Sequence, residues 1–555
     1  MGRLEEMRRR RRRRFRIRVA VVVTVMALVA AGASVYELSA GSSTGRVSPV
    51  SSPPARLGAA GGPGPSGRDQ TIQATTRPSP YGIQSSWVVA ENNRPGTTDW
   101  QIVGTPPGQI AGFADQTSAS QGQAVGLYVT TDASTFQVEA YRMGWYHGAG
   151  ARLVWTSAPI QGVTQPSCPV QAITHMVACD NWAKSLTVTI GPAFVQGDYL
   201  LKLVGSGGQA SYVPLTVTDP ASHAAYLVEN DIYTWQAWND YGGYDFYAGE
   251  GSCPTGVYPI CSRARVVSFD RPYHYGQGGG DFLGNEYPLV RFAEEHGLDV
   301  TYETSANLQQ DPASILRHRA LLSLGHDECW SYHERLAAQA AEAAGVNMIF
   351  FGASPVLRHV RLESSPLGAD RQEVDYRDSS ADPLDATGPA REVTGNTWSD
   401  APANWSEVPF TGAQYTGYVR PGEAPVPYVV YDGSSWLFDG TGLTTGSRIP
   451  GLLVSDFDQV RPGLSPANVQ ILAHSPMPLN EVQTNVSDPA SDTSYYTDAK
   501  SGAGVFDSGT VTWIPDLSSS PLVNRMTGNL LALFGTGPAG QVQPSVANWQ
   551  AVYGG

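Results

Sequence analysis

Between about Tyr81 and Asp219 the apolar positions of the chain follow a short, β-like pattern. Segments that alternate apolar and polar residues, or are rich in β-branched ones, are separated by Gly, Pro and Asp; they cover residues 124–131, 135–141, 185–190 and 198–204. None of this region keeps the 3.6-residue period of an amphipathic helix. Short strands at this spacing are typical of an immunoglobulin-like β-sandwich, and we assign residues 81–219 to one.

After Asp219 the pattern changes to alternating strands and helices. One helix is clearly bounded, because Ser331 and Glu334 form a capping box and Gly345 stands at the stop position. Alternation of this kind predicts a largely parallel sheet with helices on its faces, so we expect an α/β domain over residues 220–545. The predicted strands cover residues 224–228, 264–269, 298–302, 320–324 and 346–351, and the predicted helices cover residues 286–296 and 331–344.

Residues 370–550 return to a β-like pattern rich in Gly, Pro and Trp, with one late helix at about residues 522–534. We interpret this stretch as a β-rich insertion around the same site as the parallel sheet. The fold class is therefore α/β plus all-β: a β-sandwich, then a parallel-sheet α/β domain with a β-rich insertion.

Charge changes the picture at the amino terminus. Residues 1–18 hold ten Arg against Glu5 and Glu6, and the 17-residue run 19–35 that follows is apolar and uncharged. We interpret residues 1–36 as a basic head with a signal or anchor segment, and the Gly/Ser/Pro/Ala-rich residues 37–80 as a disordered linker. The positive-inside rule sends the body across the membrane, so the protein is either secreted or held at the cell membrane by one span.

The formal net charge of -14 includes +8 from residues 1–18, which leaves -22 for the rest of the chain. An acidic body excludes nucleic acid as a partner. Five cysteines agree with an oxidising compartment. We predict the disulfides Cys168–Cys179 and Cys253–Cys261, and a reduced, buried Cys329.

Candidate chemistry lies in three loops at predicted strand ends, where ligands gather in parallel sheets. They are an aromatic loop at 230–247, a loop at 270–273, and residues 325–330 with His326, Asp327 and Glu328. The titratable side chains of the last loop suit metal ligation, general base catalysis or helix capping, and composition alone leaves these open. The aromatic loop suits core packing or a sugar-stacking platform equally.

The same loops carry a resemblance to a known family. The stretch Thr234 to Gly243 resembles a Thr-x-Gln-Ala-Tyr-Asn-x-x-Gly-Gly motif of N,N-dimethylformamidase large (beta) subunit-like proteins. Further similar stretches follow in the expected order, at residues 268–273, 325–331, 350–353 and 504–510, and two lie upstream at 141–146 and 179–183. The resemblance spans about residues 81–534, and with it we class the α/β domain as glutamine-amidotransferase-like.

The resemblance implies an amidohydrolase with one iron ion held by two tyrosines and a glutamate. The glutamate falls on Glu328, one tyrosine on Tyr247, and the second is best placed at Tyr212. His326 matches the histidine beside the metal. Hard oxygen donors suit ferric iron, which can polarise an amide carbonyl and lower the pKa of bound water.

Three departures from the family pattern bear on function. Ser354 stands where the family has asparagine, which bears on substrate or oxyanion contacts, and Cys329 stands where tyrosine is usual. The chain is also predicted to be exported, unlike cytoplasmic dimethylformamidase with its small partner subunit. We therefore predict an exported iron-dependent amidase acting on an unidentified small amide, with His326 and Ser354 as catalytic residues. The alternative is a non-catalytic envelope protein whose aromatic cleft binds a glycan or peptide. Either form is compatible with a homo-oligomer.

Overall fold

The strands predicted between residues 81 and 219 are present in the computed structural model, which describes residues 74–104, 106–250 and 262–554. The segment Ala124–Thr131 has the predicted bounds, and the others differ by one or two residues at their ends: Thr135–Met143, Leu186–Thr189 and Gly197–Gly205. Short alternating or β-branched segments bounded by Gly, Pro and Asp were therefore a sufficient signal for these strands.

These strands form two sheets that share one apolar core, and we call residues 75–219 the N-terminal lobe. Leu127 and Val129 of one sheet and Leu201 and Leu203 of the other belong to that core. The smaller sheet holds Ile110–Ala114, Ala124–Thr131 and Leu186–Thr189; the larger holds, in order, Ser118–Ser120, Ala210–Thr218, Gly197–Gly205, Thr135–Met143 and Ala151–Thr156, with Ile160–Gln161 beside Thr135–Met143.

The start of the lobe differs from the sequence prediction. Thr76–Ser79, within the range assigned to the linker, is a strand that pairs with Gly82–Ser85. The short helix Ser86–Asn92 was not predicted; it buries Val88 completely. Seven residues are too few to show a helical period. Residues 1–73, with the basic head and the apolar run, lie outside the described residues.

Downstream of residue 219 lies a seven-stranded central sheet. Its order is Val300–Thr304, Tyr226–Asn230, Ala320–Ser323, Asn347–Phe350, Gly504–Asp507, Ala490–Thr497 and Gln470–Pro476. The first five strands are parallel and the last two are antiparallel. The parallel sheet is thus confirmed, but three of its strands come from the stretch we had interpreted as an insertion.

The predicted strand at 264–269 was misplaced. Val266–Ser268 does not join the central sheet but pairs antiparallel with Gly368–Val374. All three residues of this strand are buried, and burial by itself does not tell which sheet a strand joins. The resulting four-stranded sheet has the order Val266–Ser268, Gly368–Val374, Arg358–Ser365 and Cys329–Ser331.

Helices cover the sheets, and the two best-defined ones were predicted. Tyr332–Ala343 begins at the capping box of Ser331 and Glu334, and Pro521–Phe534 is the late helix. The remaining α-helices of the described residues are Ile232–Ala237, Tyr287–Glu295, Ser305–Gln310, Val408–Thr411, Trp513–Asp516 and Trp549–Tyr553. The β-rich part adds a sheet of Asp456–Gln459, Gln414–Val419 and Val482–Thr484, and the pair Val426–Val429 and Arg448–Leu453.

The N-terminal lobe and the central sheet share a hydrophobic core, so residues Thr75–Gly555 form one compact unit. Across this joint Arg142 and Glu294 form an ion pair of 2.7 Å with both side chains fully buried. The architecture is a mixed α/β and β fold; the immunoglobulin-like and glutamine-amidotransferase-like assignments remain predictions.

The disulfide Cys168–Cys179 is present, and Cys329 is free and buried, as predicted. The Cys253–Cys261 pair lies outside the described residues. Within the described part of the chain, no helix combines the length and apolarity needed to span a bilayer.

Candidate active site at the edge of the central sheet

The loop at residues 325–328 is held on both sides. It follows the strand Ala320–Ser323, and the backbone N–H groups of Glu328 and Cys329 both donate to Thr234 Oγ1 at 3.0 Å. Gly325 has a φ of +58°, and an added Cβ would lie 2.6 Å from the carbonyl oxygen of Asn285. Only glycine fits there, so Gly325 is needed for the loop to pass this close to the backbone of Asn285.

Asp327 has a structural role. Its Oδ2 accepts a hydrogen bond from Ser323 Oγ at 2.6 Å and its Oδ1 one from Trp330 Nε1 at 2.8 Å. The side chain is 2% exposed, so it points into the fold. Of the three titratable residues in the loop, only His326 and Glu328 remain for chemistry.

Glu328 is the centre of the cluster. Its Oε2 accepts a hydrogen bond from the Tyr247 hydroxyl and one from Trp238 Nε1 at 3.3 Å. Its Oε1 accepts from Arg358 Nε at 3.0 Å. Burial alone would raise the pKa of this carboxyl, but Arg358, His326 and Arg377 more than offset it and hold the pKa at about 2. Glu328 is therefore a permanent anion in a nearly closed setting.

Tyr247 is fixed by its ring. Trp238 stacks on it with centroids 3.7 Å apart, and the Arg377 guanidinium lies over it at 4.3 Å. Burial and the adjacent Glu328 charge raise the pKa of the phenol well above its ordinary value. The hydroxyl stays protonated unless a cation stabilises its anion.

His326 lies between carboxylates. Its Nε2 is 3.5 Å from Glu328 Oε2 and 3.8 Å from Asp456 Oδ2. Burial raises the pKa values of Asp456 and Asp281 to about 6, and in both cases the nearby His326 opposes the shift. Both carboxyl groups therefore have pKa values nearer to neutrality than an exposed aspartate has.

The structure brings together three of the five site residues that the sequence predicted, namely Tyr247, His326 and Glu328. The other two are engaged elsewhere. The Tyr212 hydroxyl donates to the carbonyl oxygen of Trp100 at 2.6 Å and accepts from the N–H of Ile102 at 2.9 Å. Ser354 is 2% exposed, and its hydroxyl donates to the carbonyl oxygen of the preceding residue at 2.5 Å.

The other two candidate loops are largely structural. Tyr233 and Trp235 of the aromatic loop are core residues. Arg271 of the loop at 270–273 is fully buried and donates to the carbonyl oxygens of Asn239 and Tyr244 at 2.8 and 3.0 Å. These hydrogen bonds fix the backbone of the aromatic loop, which carries Trp238 and Tyr247.

Several residues of the cluster were missed by sequence reasoning: Arg358, Arg377, Tyr415, Asp456 and Asp281. None lies in a motif or in one of the three candidate loops. Asp456 begins a strand that pairs with Gln414–Val419, which carries Tyr415, and Tyr415 lowers the pKa of Asp456 by hydrogen bonding. The β-rich part therefore closes over the sheet edge, as expected for a segment around the same site.

Carboxylate and phenol oxygens lie near His326, and these are donor types that a hard metal ion prefers. Glu328 and Tyr247 have oxygens in contact, and the like charge of Glu328 adds to the raised pKa of Asp456. A cation among these groups would relieve that repulsion, and carboxylate and phenolate oxygens suit ferric iron. In the described ranges no three His, Cys, Asp or Glu side chains are grouped in a way that could hold a metal ion.

Fold and site together define a mixed α/β and β protein with a carboxylate, a phenol and an imidazole gathered at one edge of its central sheet. Residues 137–527, more than half of the chain, match the family described as N,N-dimethylformamidase beta subunit-like, C-terminal. The chain therefore belongs to that family, which supports an amidohydrolase-like role.

Other comparisons add little. No curated protein matches the chain in sequence. A solved structure from Paenibacillus sp., a cycloisomaltooligosaccharide glucanotransferase complexed with cycloisomaltoheptaose, aligns at 9% identity. The alignment covers 65% of this chain and 67% of the solved chain. Its TM-score is 0.14, and a likeness at that score carries no argument.

Proposed function

We propose that the protein hydrolyses a small amide at the cluster of Glu328, Tyr247 and His326, with the help of one bound iron ion. The observation that carries this proposal is the contact between the Tyr247 hydroxyl and Glu328 Oε2 beside His326. Family membership supports the reaction class. Glu328 and Tyr247 offer oxygen donors for a metal ion, and His326 can carry a proton, which amide hydrolysis needs in addition to an activated water.

Glu328 and Tyr247 would hold the metal, and Asp456 would complete the set in place of the predicted Tyr212. Asp456 Oδ2 lies 3.8 Å from His326 Nε2, the same nitrogen that Glu328 Oε2 approaches at 3.5 Å. When bound, iron would polarise the amide carbonyl and lower the pKa of a water molecule. The stacked Trp238 and Arg377 keep the Tyr247 ring in place for this role.

His326 would move the proton. Hydrolysis takes a proton from the attacking water and delivers one to the leaving amide nitrogen. The imidazole side chain is 18% exposed, enough to reach a substrate, and Asp456 at 3.8 Å can orient it. The buried Ser354 hydroxyl, bonded to its own backbone, is left out of these steps.

Export is part of the proposal. The disulfide Cys168–Cys179 supports an oxidising compartment, in agreement with the basic head and apolar run of residues 1–35. Secretion and a single membrane anchor both satisfy these features.

Metal content and hydrolysis of the purified full chain test the proposal. Wild type produced with added iron, and never exposed to chelator, should carry about one iron per chain and show a phenolate-to-iron absorption band. Glu328→Gln should lose both metal and amide hydrolysis, because it removes the only permanent anion of the set. His326→Gln should keep the metal and lose about 10²–10⁴-fold in kcat.

Glu423→Gln is the matched control, since Glu423 is exposed and its backbone N–H bonds locally to the carbonyl oxygen of Arg420. It should keep both metal and activity. A colourless, iron-free wild type would contradict the proposal, and so would a Glu328→Gln variant that still hydrolyses amides.

A further inference from the structure

Arginine side chains gather on one side of Glu328 and Tyr247. Arg358 donates from Nε to Glu328 Oε1 at 3.0 Å, and Arg377 lies over the Tyr247 ring at 4.3 Å. The two guanidinium groups are close enough for each to oppose the other's charge. Both therefore border the place where a substrate amide would meet the metal ligands.

A third arginine, Arg263, holds the backbone next to Arg377. Arg263 is buried, and its guanidinium donates to the carbonyl oxygens of Asp375 and Tyr376 at 2.8 and 2.5 Å. Burial lowers its pKa to about 10, and Arg377 and Arg358 contribute to that shift. At neutral pH it stays charged, so it fixes the loop that presents Arg377 and adds to the local positive charge.

The arginines of this corner outnumber the carboxylates that are paired with them. Arg358 pairs with Glu328 at 3.0 Å and Arg377 with Asp375 at 2.9 Å, whereas Arg263 donates to backbone carbonyl oxygens. The corner is therefore rich in guanidinium groups, which suit an anionic ligand.

Arg377 also has a donor left over. Asp375 Oδ2 accepts from its Nε at 2.9 Å, but its Nη2 is buried and makes no hydrogen bond within the described structure. The side chain is only 7% exposed, so water does not readily satisfy this group. An unmade buried hydrogen bond is costly, and an acceptor on a ligand would remove the cost.

The backbone of Arg377 points to the same role. Its φ is 54°, in the left-handed region that non-glycine residues rarely adopt. The surrounding hydrogen bonds from Arg263, and the one that Arg377 N–H donates to Asp375 Oδ1 at 3.0 Å, hold this conformation. Strain maintained in this way is common at ligand-binding positions.

We propose that Arg377 and Arg358 bind a carboxylate group of the substrate, so that the protein acts on carboxylate-bearing amides such as N-acylated amino acids. The proposal rests on the function proposed above, which puts the scissile amide at Glu328 and Tyr247. A hydrogen bond from a guanidinium to a carboxylate is charge-assisted and stronger than one to a neutral acceptor, so a carboxylate is the acceptor that suits this corner best. The ligand carboxylate would accept from the free Nη2 of Arg377.

Two amides that differ only in charge test the substrate class. N-acetylglycine carries the carboxylate, and N-isobutylacetamide replaces it with an uncharged group of similar shape; both release acetate. Wild type should prefer N-acetylglycine by about 10- to 100-fold in kcat/KM, the usual range for a charge-assisted pair. Arg377→Gln should lose that preference, and Arg377→Lys should keep an intermediate one, since it retains charge without the planar fork.

Arg265→Gln is the matched control. Arg265 belongs to the same segment, but its guanidinium bonds to the carbonyl oxygen of Ile173 at 3.3 Å, in an exposed position. It should keep the full preference for N-acetylglycine. Equal rates for the two amides in wild type would overturn the inference, and so would an Arg265→Gln effect as large as that of Arg377→Gln.

Calorimetric binding separates this inference from the proposed activity. N-acetylglycine should bind wild type and Arg265→Gln with the same affinity. Its affinity for Arg377→Gln should be at least about 10-fold lower. If it does so while neither amide is hydrolysed, the anion site stands and the amidase proposal fails. If N-isobutylacetamide is hydrolysed and N-acetylglycine does not bind, the amidase stands and the anion site fails. Binding of inorganic phosphate in preference to N-acetylglycine would overturn the assignment to a carboxylate.

Discussion

Two buried arginine–glutamate pairs in this protein show opposite arrangements. At the joint between the N-terminal lobe and the central sheet, Arg142 meets Glu294 through two hydrogen bonds of 2.7 and 3.1 Å, and both side chains are fully buried. At the sheet edge, Arg358 meets Glu328 through one bond of 3.0 Å, and the side chains are 15% and 6% exposed.

At the joint, both members of the Arg142–Glu294 pair have further hydrogen-bond partners. Arg142 also donates to the carbonyl oxygen of Gln196 at 2.8 Å and to the Tyr146 hydroxyl at 2.9 Å. Glu294 accepts further bonds from Tyr302 at 2.8 Å and from Asn92. A pair saturated in this way has nothing to offer a ligand, and its role is to hold the lobes together.

At the sheet edge, some hydrogen-bonding capacity of the charged groups has no partner. Glu328 Oε2 meets a phenol, an indole and an imidazole, and Arg377 keeps a buried donor without a partner. Unpaired capacity of this kind is costly to the fold and is retained where a ligand or a reaction can use it. The comparison therefore separates an ion pair with all its hydrogen bonds made from one that leaves bonding groups unused, as the proposed function would require.

The largest expected effect is at the joint. Arg142→Met should lower the free energy of unfolding by about 3–5 kcal/mol, because Glu294 would remain as an uncompensated buried charge. Urea denaturation measures it. Arg94→Met is the matched control: Arg94 contacts Glu91 at 3.2 Å but its side chain is 53% exposed, so the loss should stay below about 1 kcal/mol. Equal losses in the two variants would contradict the structural role of the joint.

A second expected effect is pH-dependent and also belongs to the joint. Burial raises the pKa of Asp198 to about 7, with Asn230, Thr216 and Arg142 opposing the shift and Glu294 adding to it. The folded state therefore binds more protons than the unfolded state between about pH 4 and 7, and stability falls as the pH rises through that window.

Asp198→Asn should remove this loss. The variant should be more stable than wild type by about 2–4 kcal/mol at pH 8 and similar to it at pH 4. Thermal or urea unfolding at the two pH values measures the difference. A variant that is less stable than wild type at pH 8 would show that the ionised carboxylate is needed there.

The smallest effect compares two tyrosines. The Tyr146 hydroxyl donates to Glu91 at 2.8 Å and accepts from Arg142, so Tyr146→Phe should cost about 1–3 kcal/mol. Tyr247→Phe should cost less than about 1 kcal/mol, because Glu328 keeps its bonds from Arg358 and Trp238. The same urea series checks both, and a larger loss in Tyr247→Phe would reverse the proposed roles of the two regions.

Local patterns predicted much of the fold. The strand Ala124–Thr131 and the helices Tyr332–Ala343 and Pro521–Phe534 lie where alternation and capping placed them. The segment Val266–Ser268 was recognised as a strand but assigned to the wrong sheet, because hydrophobicity reports burial and does not identify the partner strand. For the same reason the sequence did not reveal that Gly504–Asp507 lies beside Asn347–Phe350.

For the site, the sequence by itself determined which loops to consider, and the family resemblance within them singled out Glu328, Tyr247 and His326; their roles stay a prediction. Only the tertiary structure showed that Tyr212 bonds to the backbone of Trp100 and Ile102, and that Arg358, Arg377 and Asp456 complete the cluster. The physical reason is that secondary structure depends on neighbours in sequence, whereas the charge environment of a side chain depends on whichever strands the sheet brings beside it.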